Sequence, residues 1–306
     1  MAGEVMRGRT TLGRGGALKI ALLILLGLLW AVRIAAIKAA GLSGVPVHVV
    51  VAVTAVGLAA VFSALAVARR EWPPVDRALI GFYLASGTLG FLAPFALESV
   101  VAPHLPVFVF VVIIATMPIL TLALSILTGG ERLALGLVLS VAMGFAGAVT
   151  IVLDTARAET ESASPWWVAA AFGVPALYAL NTVFVARRWP ARAGAVAVAH
   201  AQALIVGGAA VLGTVASGTA SDLALVRLDL PALGLIIAGE ALALLVYLRV
   251  ARDYGATWVS FANYVSMVFA AMIGAAAFGD RLTALSVVAA LVIVASVALY
   301  HRRNAV

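Results

Sequence analysis

Of 306 residues, 64% are hydrophobic and 11% charged, more apolar surface than a water-soluble fold of this size can bury, so lipid must cover the remainder. The absence of Cys excludes disulfides, thiolate metal sites and thiol nucleophiles, while His48, His104, His200 and His301 stand at no metal-ligand spacing, so no metal and no cofactor is expected. The net charge of +7 is spread over loop after loop, which fits orientation in a membrane and argues against a nucleic-acid partner.

A membrane-crossing helix needs about 20 mostly apolar residues, and ten windows of that kind follow one another with short connections: 18–40, 45–68, 78–97, 105–127, 133–153, 166–186, 193–216, 230–248, 256–278 and 282–300. The first carries Trp30 and Arg33. Its basic leader has the look of a signal peptide, but the run from Leu18 to Ala40 is long for one and lacks a clear cleavage site, so a retained span is expected. The third carries a stripe of Tyr83, Gly87, Gly90 and Pro94, beyond which Glu98 and His104 read as solvated. Pro118 lies in the fourth. In the fifth, Gly136, Ser140, Gly144 and Ala148 recur every four residues, a small-residue ridge suited to close helix packing.

The sixth window repeats Pro175, Tyr178, Asn181 and Val185 at helical spacing, so a phenol, an amide and a carbonyl freed by proline share one face. His200 and Gln202 in the seventh are read as interhelical hydrogen-bonding groups ahead of a proton relay. Glu240 lies inside the eighth window, and Trp258, Asn263 and Tyr264 inside the ninth. Trp72, Trp166, Trp167 and Trp189 belong at the membrane surfaces.

The phrase running from Thr128 through Gly-Gly-Glu131-Arg132-Leu133 returns as Ala277-Phe-Gly-Asp280-Arg281-Leu282, 149 residues later. Five windows separate the two copies, and an odd number of crossings inverts the second relative to the first. The expected fold is therefore an all-α membrane protein of ten transmembrane helices, built as two inverted five-helix repeats at 1–153 and 154–306. With both termini placed on the cytoplasmic side, fifteen of the 20 Lys and Arg fall on that side. Lys38, Arg157, Arg227 and Arg281 fall on the other, and Arg33 lies within a span. Glu131 and Asp280 then stand before the fifth and tenth helices, where carboxylates act as N-terminal caps.

Trp30, Pro118 and Gly130-Glu131-Arg132-Leu133 in the first half, with Gly279-Asp280-Arg281-Leu282-Thr283 in the second, carry a family pattern. The chain resembles the drug/metabolite transporter superfamily, in particular its EamA-type ten-helix branch. Ala31 stands where that family has Gly after Trp, Arg33 where a small polar residue is expected, and Met267 where the second repeat would carry proline. The resemblance implies a bacterial inner-membrane exporter of small metabolites, with amino acids, including aromatic ones, and toxic amphiphiles among the candidates; a single copy is expected to suffice.

Arg33 and Glu240 are the ionisable groups deep inside apolar windows, where an unpaired charge is costly and a cavity or a partner is the rule. Facing each other, they would offer a guanidinium to a substrate carboxylate and a carboxylate to its ammonium. The plainer reading is a structural ion pair. Trp30, Tyr83, Tyr178, Asn181 and Trp258 complete the expected substrate contacts, for which helix packing and core burial are the competing explanations. An enzyme would need a nucleophile–base pair or metal ligands at membrane depth, and none is present in the sequence. Carriers of phosphorylated sugars or nucleotide sugars stay open, as does a channel, although one Arg and one Glu make a poor charged ring.

Overall fold

A computed structural model describes residues 2–101, 104, 110, 113–155, 164–278 and 283–303, and every regular element among them is helical. In chain order these are α1 (Ala2–Leu42), α2 (Val47–Arg69), α3 (Arg77–Gly87), a π-helical turn (Thr88–Leu92), α4 (Ala93–Val101), α5 (Met117–Leu127), α6 (Leu135–Thr155), α7 (Pro165–Ala171) and α8 (Gly173–Arg188). Then follow α9 (Ala195–Ala216), a 3-10 segment (Thr219–Leu228), α10 (Leu230–Tyr254), α11 (Ala256–Ser260), α12 (Ala262–Phe278) and α13 (Ala284–Arg303).

Seven stretches among the described residues are long and apolar enough to cross a membrane: Gly16–Leu42, Val47–Arg69, Arg77–Glu98, Pro165–Arg188, Ala195–Ala216, Leu230–Tyr254 and Ala256–Phe278. Shorter apolar helices cover Met117–Leu127, Leu135–Thr150 and Val287–His301. The chain is a multi-pass membrane protein. Leu212, Leu291 and Val294 point outward, exposed apolar side chains of the kind lipid covers. The second copy of the repeated phrase, Gly279 to Leu282, lies outside the described residues, as does Arg157.

Local chemistry sets the boundaries. Asp76 caps α3 by accepting from the Leu79 amide at 2.9 Å, and Asp229 caps α10 through the Ala232 amide at 3.0 Å. Gly255, at φ 90°, turns the chain between α10 and α11 in a conformation that favours glycine. Three spans are interrupted. Pro94 has no N–H to return to the preceding turn, and the helix widens into the π segment just before it. The sixth span breaks at Phe172, three residues ahead of Pro175, and the ninth at Phe261. Pro118 sits in the first turn of α5, just after the turn at Ala115 and Thr116, where a helix needs no proline N–H.

Packing is pairwise. α6 lies along α13, α2 along α9, α1 against both α10 and α12, and α8 against α5, α4 and the π turn. The small-residue ridge of α6 is buried: a Cβ on Gly144 would stand 2.3 Å from the Tyr264 ring, and one on Gly147 2.8 Å from atoms of α13. Glu131 does not cap α6. That helix starts at Leu135, and the Glu131 carboxylate instead accepts from the Tyr300 hydroxyl of α13 at 3.2 Å.

Candidate functional site

Arg33 lies about 21 Å along α1 from Lys19, counting 1.5 Å per residue. Its Nε stands 3.4 Å from Glu240 Oε2 on α10, so the two intramembrane charges meet directly. The contact is an ion pair without hydrogen-bond alignment. Both atoms are buried, and neither has a hydrogen-bond partner among the described residues. Charged atoms in that condition are rare in folded proteins, since desolvation is offset only by well-made contacts.

Charge interactions extend the pair. Tyr178 on α8 and Glu98 on α4 lie within electrostatic reach of Arg33. Glu98 is therefore not the solvated loop residue that the sequence suggested. It is half-buried on a helix packed against α8, because the interrupted third span continues one further turn past Pro94. No spacing in the sequence links positions 33, 98, 178 and 240; only the tertiary arrangement brings them together.

Beside this charged group runs a neutral chain of hydrogen bonds. Gln202 Nε2 donates to Ser86 Oγ at 2.5 Å, and Ser86 Oγ donates to Asn181 Oδ1 at 2.9 Å. Asn181 Nδ2 donates to Tyr247 Oη at 3.2 Å, which donates to Thr182 Oγ1 at 3.1 Å, and Thr182 donates to the Tyr178 carbonyl at 2.7 Å. Each hydroxyl both gives and receives. The expected interhelical role of Gln202 is met here, and the chain ends on the Tyr178 carbonyl. Gly90, in the π turn, makes room for it, since a Cβ there would stand 2.4 Å from Asn181 Nδ2. His200 engages Ser63 Oγ at 3.1 Å through Nε2.

The other expected contacts have these surroundings. Tyr83 is buried against Phe82, and its hydroxyl reaches the Pro74 carbonyl in the loop ahead of α3. Trp30 is partly buried against the main core. Trp258 is fully buried, stacked on Tyr300 with ring centroids 5.4 Å apart and with the Lys19 ammonium 4.5 Å from its own centroid. That contact belongs to the Lys19 end of the bundle, where Glu131, Arg132, Asp253, Tyr254 and Tyr300 line an open cleft of about 720 Å³. A second cleft, of about 610 Å³, lies between α5 and α8 beside Arg187 and Arg188.

An ion pair inside a bundle of apolar helices is a recurring feature of membrane proteins that move solutes or charge. Over residues 17–153 the chain matches the model of the EamA-like transporter family, which suggests a membrane transporter of small solutes. One solved crystal structure of a protein superposes with a TM-score of 0.72 at 19% identity, covering 95% of this chain and 99% of its own, which establishes a shared fold. Among curated proteins, none matches.

Proposed function

We propose that the protein is a secondary transporter that exports small organic metabolites, amino acids including aromatic ones foremost, by alternating access across the bacterial inner membrane. The reading takes the chain as ten spans in two inverted repeats, 1–153 and 154–306, with both termini cytoplasmic and a single copy sufficient for transport. Packing supports it: if α1, α2, α6 and the split third span correspond to α8, α9, α13 and α10, then α6 meets α13 and α2 meets α9 as equivalents. The contact of α1 with α10 is likewise mirrored by that of α8 with α4 and the π turn. Two halves related in this way can rock about a shared site.

The observation that carries the proposal is the intramembrane pair of Arg33 and Glu240, whose facing atoms are buried and incompletely bonded. Its guanidinium can turn to a carboxylate and its carboxylate to an ammonium. A phosphorylated sugar would meet two carboxylates for one guanidinium, so an anionic solute is disfavoured. The test is counterflow in proteoliposomes with purified protein and radiolabelled amino acids. Saturable exchange is expected, and unitary conductance steps in a planar bilayer would transfer the assignment to a channel.

A further inference from the structure

We propose that the groove between α5 and α8 is a binding site for an anionic phospholipid, with an acyl chain along its apolar wall and the phosphate on Arg187 and Arg188. The inference does not depend on the transport reading above, and neither Arg33 nor Glu240 lines the groove.

The groove is apolar along one part and basic at one end. On α8, Leu180, Val183, Phe184 and Arg187 recur at three- and four-residue intervals and share one face, while Leu124 of α5 lines the same space of about 610 Å³. Leu180 is exposed, Val183 is buried, and Phe184 is stacked on Phe82 with ring centroids 5.2 Å apart, so the apolar wall is backed by the core. Counting 1.5 Å per residue, Arg187 lies about 10 Å beyond Leu180, and with Arg188 it ends the span Pro165–Arg188. An apolar groove that closes on two cations at the limit of a membrane span has the polarity of a lipid from tail to headgroup.

The basic end is not neutralised within the protein. Arg187 donates through Nη1 to the Thr128 carbonyl just past α5, which holds that guanidinium between the two helices and leaves its other N–H groups available. Among the described residues Arg188 has no hydrogen-bond or ion-pair partner, and no acidic residue lines the groove. Glu131, on the loop that follows Thr128, accepts instead from the Tyr300 hydroxyl of α13. The cleft at the Lys19 end differs, because Glu131 and Asp253 there balance Lys19 and Arg132. Two adjacent guanidiniums match a phosphodiester in charge and in donor geometry. A soluble phosphate would leave the apolar wall uncovered, whereas a phospholipid covers it with acyl chain.

The test uses purified full-length protein in a neutral detergent, with dioleoyl phosphatidylglycerol or dioleoyl phosphatidylcholine titrated in and bound lipid read by native mass spectrometry. Wild-type protein should bind phosphatidylglycerol at least fivefold more tightly than phosphatidylcholine. Arg188→Gln should lower that preference at least threefold, and the double variant Arg187→Gln with Arg188→Gln should abolish it. Arg69→Gln with Arg70→Gln, which removes the same charge from the end of α2, should keep it. Leu180→Trp, which fills the apolar wall and leaves both guanidiniums in place, should weaken phosphatidylglycerol binding at least threefold. Because Arg187 also holds Thr128, Arg188→Gln and Leu180→Trp decide the matter if the double variant does not fold. Equal wild-type binding of the two lipids, or a preference lost as fully in the Arg69 and Arg70 variant, overturns the proposal. So does an unchanged preference in Arg188→Gln together with unchanged binding in Leu180→Trp. Displacement of the lipid by glycerol 3-phosphate at equal concentration would assign the groove to soluble phosphates and overturn the lipid as its occupant.

Discussion

The two polar groups inside this apolar bundle differ in how far their hydrogen bonds are met. In the neutral chain from Gln202 to Tyr178 every named link is a hydrogen bond of 2.5–3.2 Å, directed so that each hydroxyl donates once and accepts once. In the charged group the central contact is longer, and both facing atoms lack a hydrogen bond. Saturated polar networks hold helices in one arrangement, whereas unsaturated charged ones retain capacity for a ligand. The first reads as scaffold and the second as the site.

Substitutions sharpen the contrast. Arg33→Ala or Glu240→Gln should reduce counterflow about 100-fold, in line with roughly 2–5 kcal/mol for truncating one partner of a buried charge contact with a ligand. Folded protein should remain in the membrane, as judged by size-exclusion profile. In the scaffold, Gly144→Ala drives a Cβ into the buried Tyr264 ring and should cost about 1–3 kcal/mol of stability, seen as a lower thermal midpoint in detergent. Asn181→Ala leaves Ser86 and Tyr247 short of a partner and should cost a similar or smaller amount, about 1–3 kcal/mol, with flux per folded molecule close to wild type. A loss of flux that outruns the loss of stability would move Asn181 into the site. Tyr300→Phe, which removes one hydrogen bond to Glu131, should have the smallest effect, about 0.5–1.5 kcal/mol, measured the same way.

The helices were largely legible because hydrophobic runs of membrane-crossing length have few alternatives: seven of the expected windows recur as spans with ends displaced by only a few residues. Arg33 and Glu240 were legible for the same reason, as charges where charge is costly. Glu98 was not. Its place depends on how far the third span continues past Pro94, and proline signals an interruption without revealing whether the helix resumes. Asn181 was legible as a polar group on a helix face, but its partners Ser86 and Tyr247 come from distant windows and carry no shared motif. Trp258 illustrates the opposite case: an aromatic residue within a span looks the same in sequence whether it lines a site or, as here, stacks on Tyr300 under the Lys19 ammonium.

An exchange of partners separates a transport site from a structural ion pair most directly. In the double variant Arg33→Glu with Glu240→Arg the attraction between the helices is kept, but each charge now projects from the other helix. If the pair binds substrate, the double variant should recover thermal stability lost in the single charge reversals while counterflow stays at least tenfold below wild type. Recovery of both stability and wild-type flux would contradict the account and leave Arg33 and Glu240 as a structural clasp.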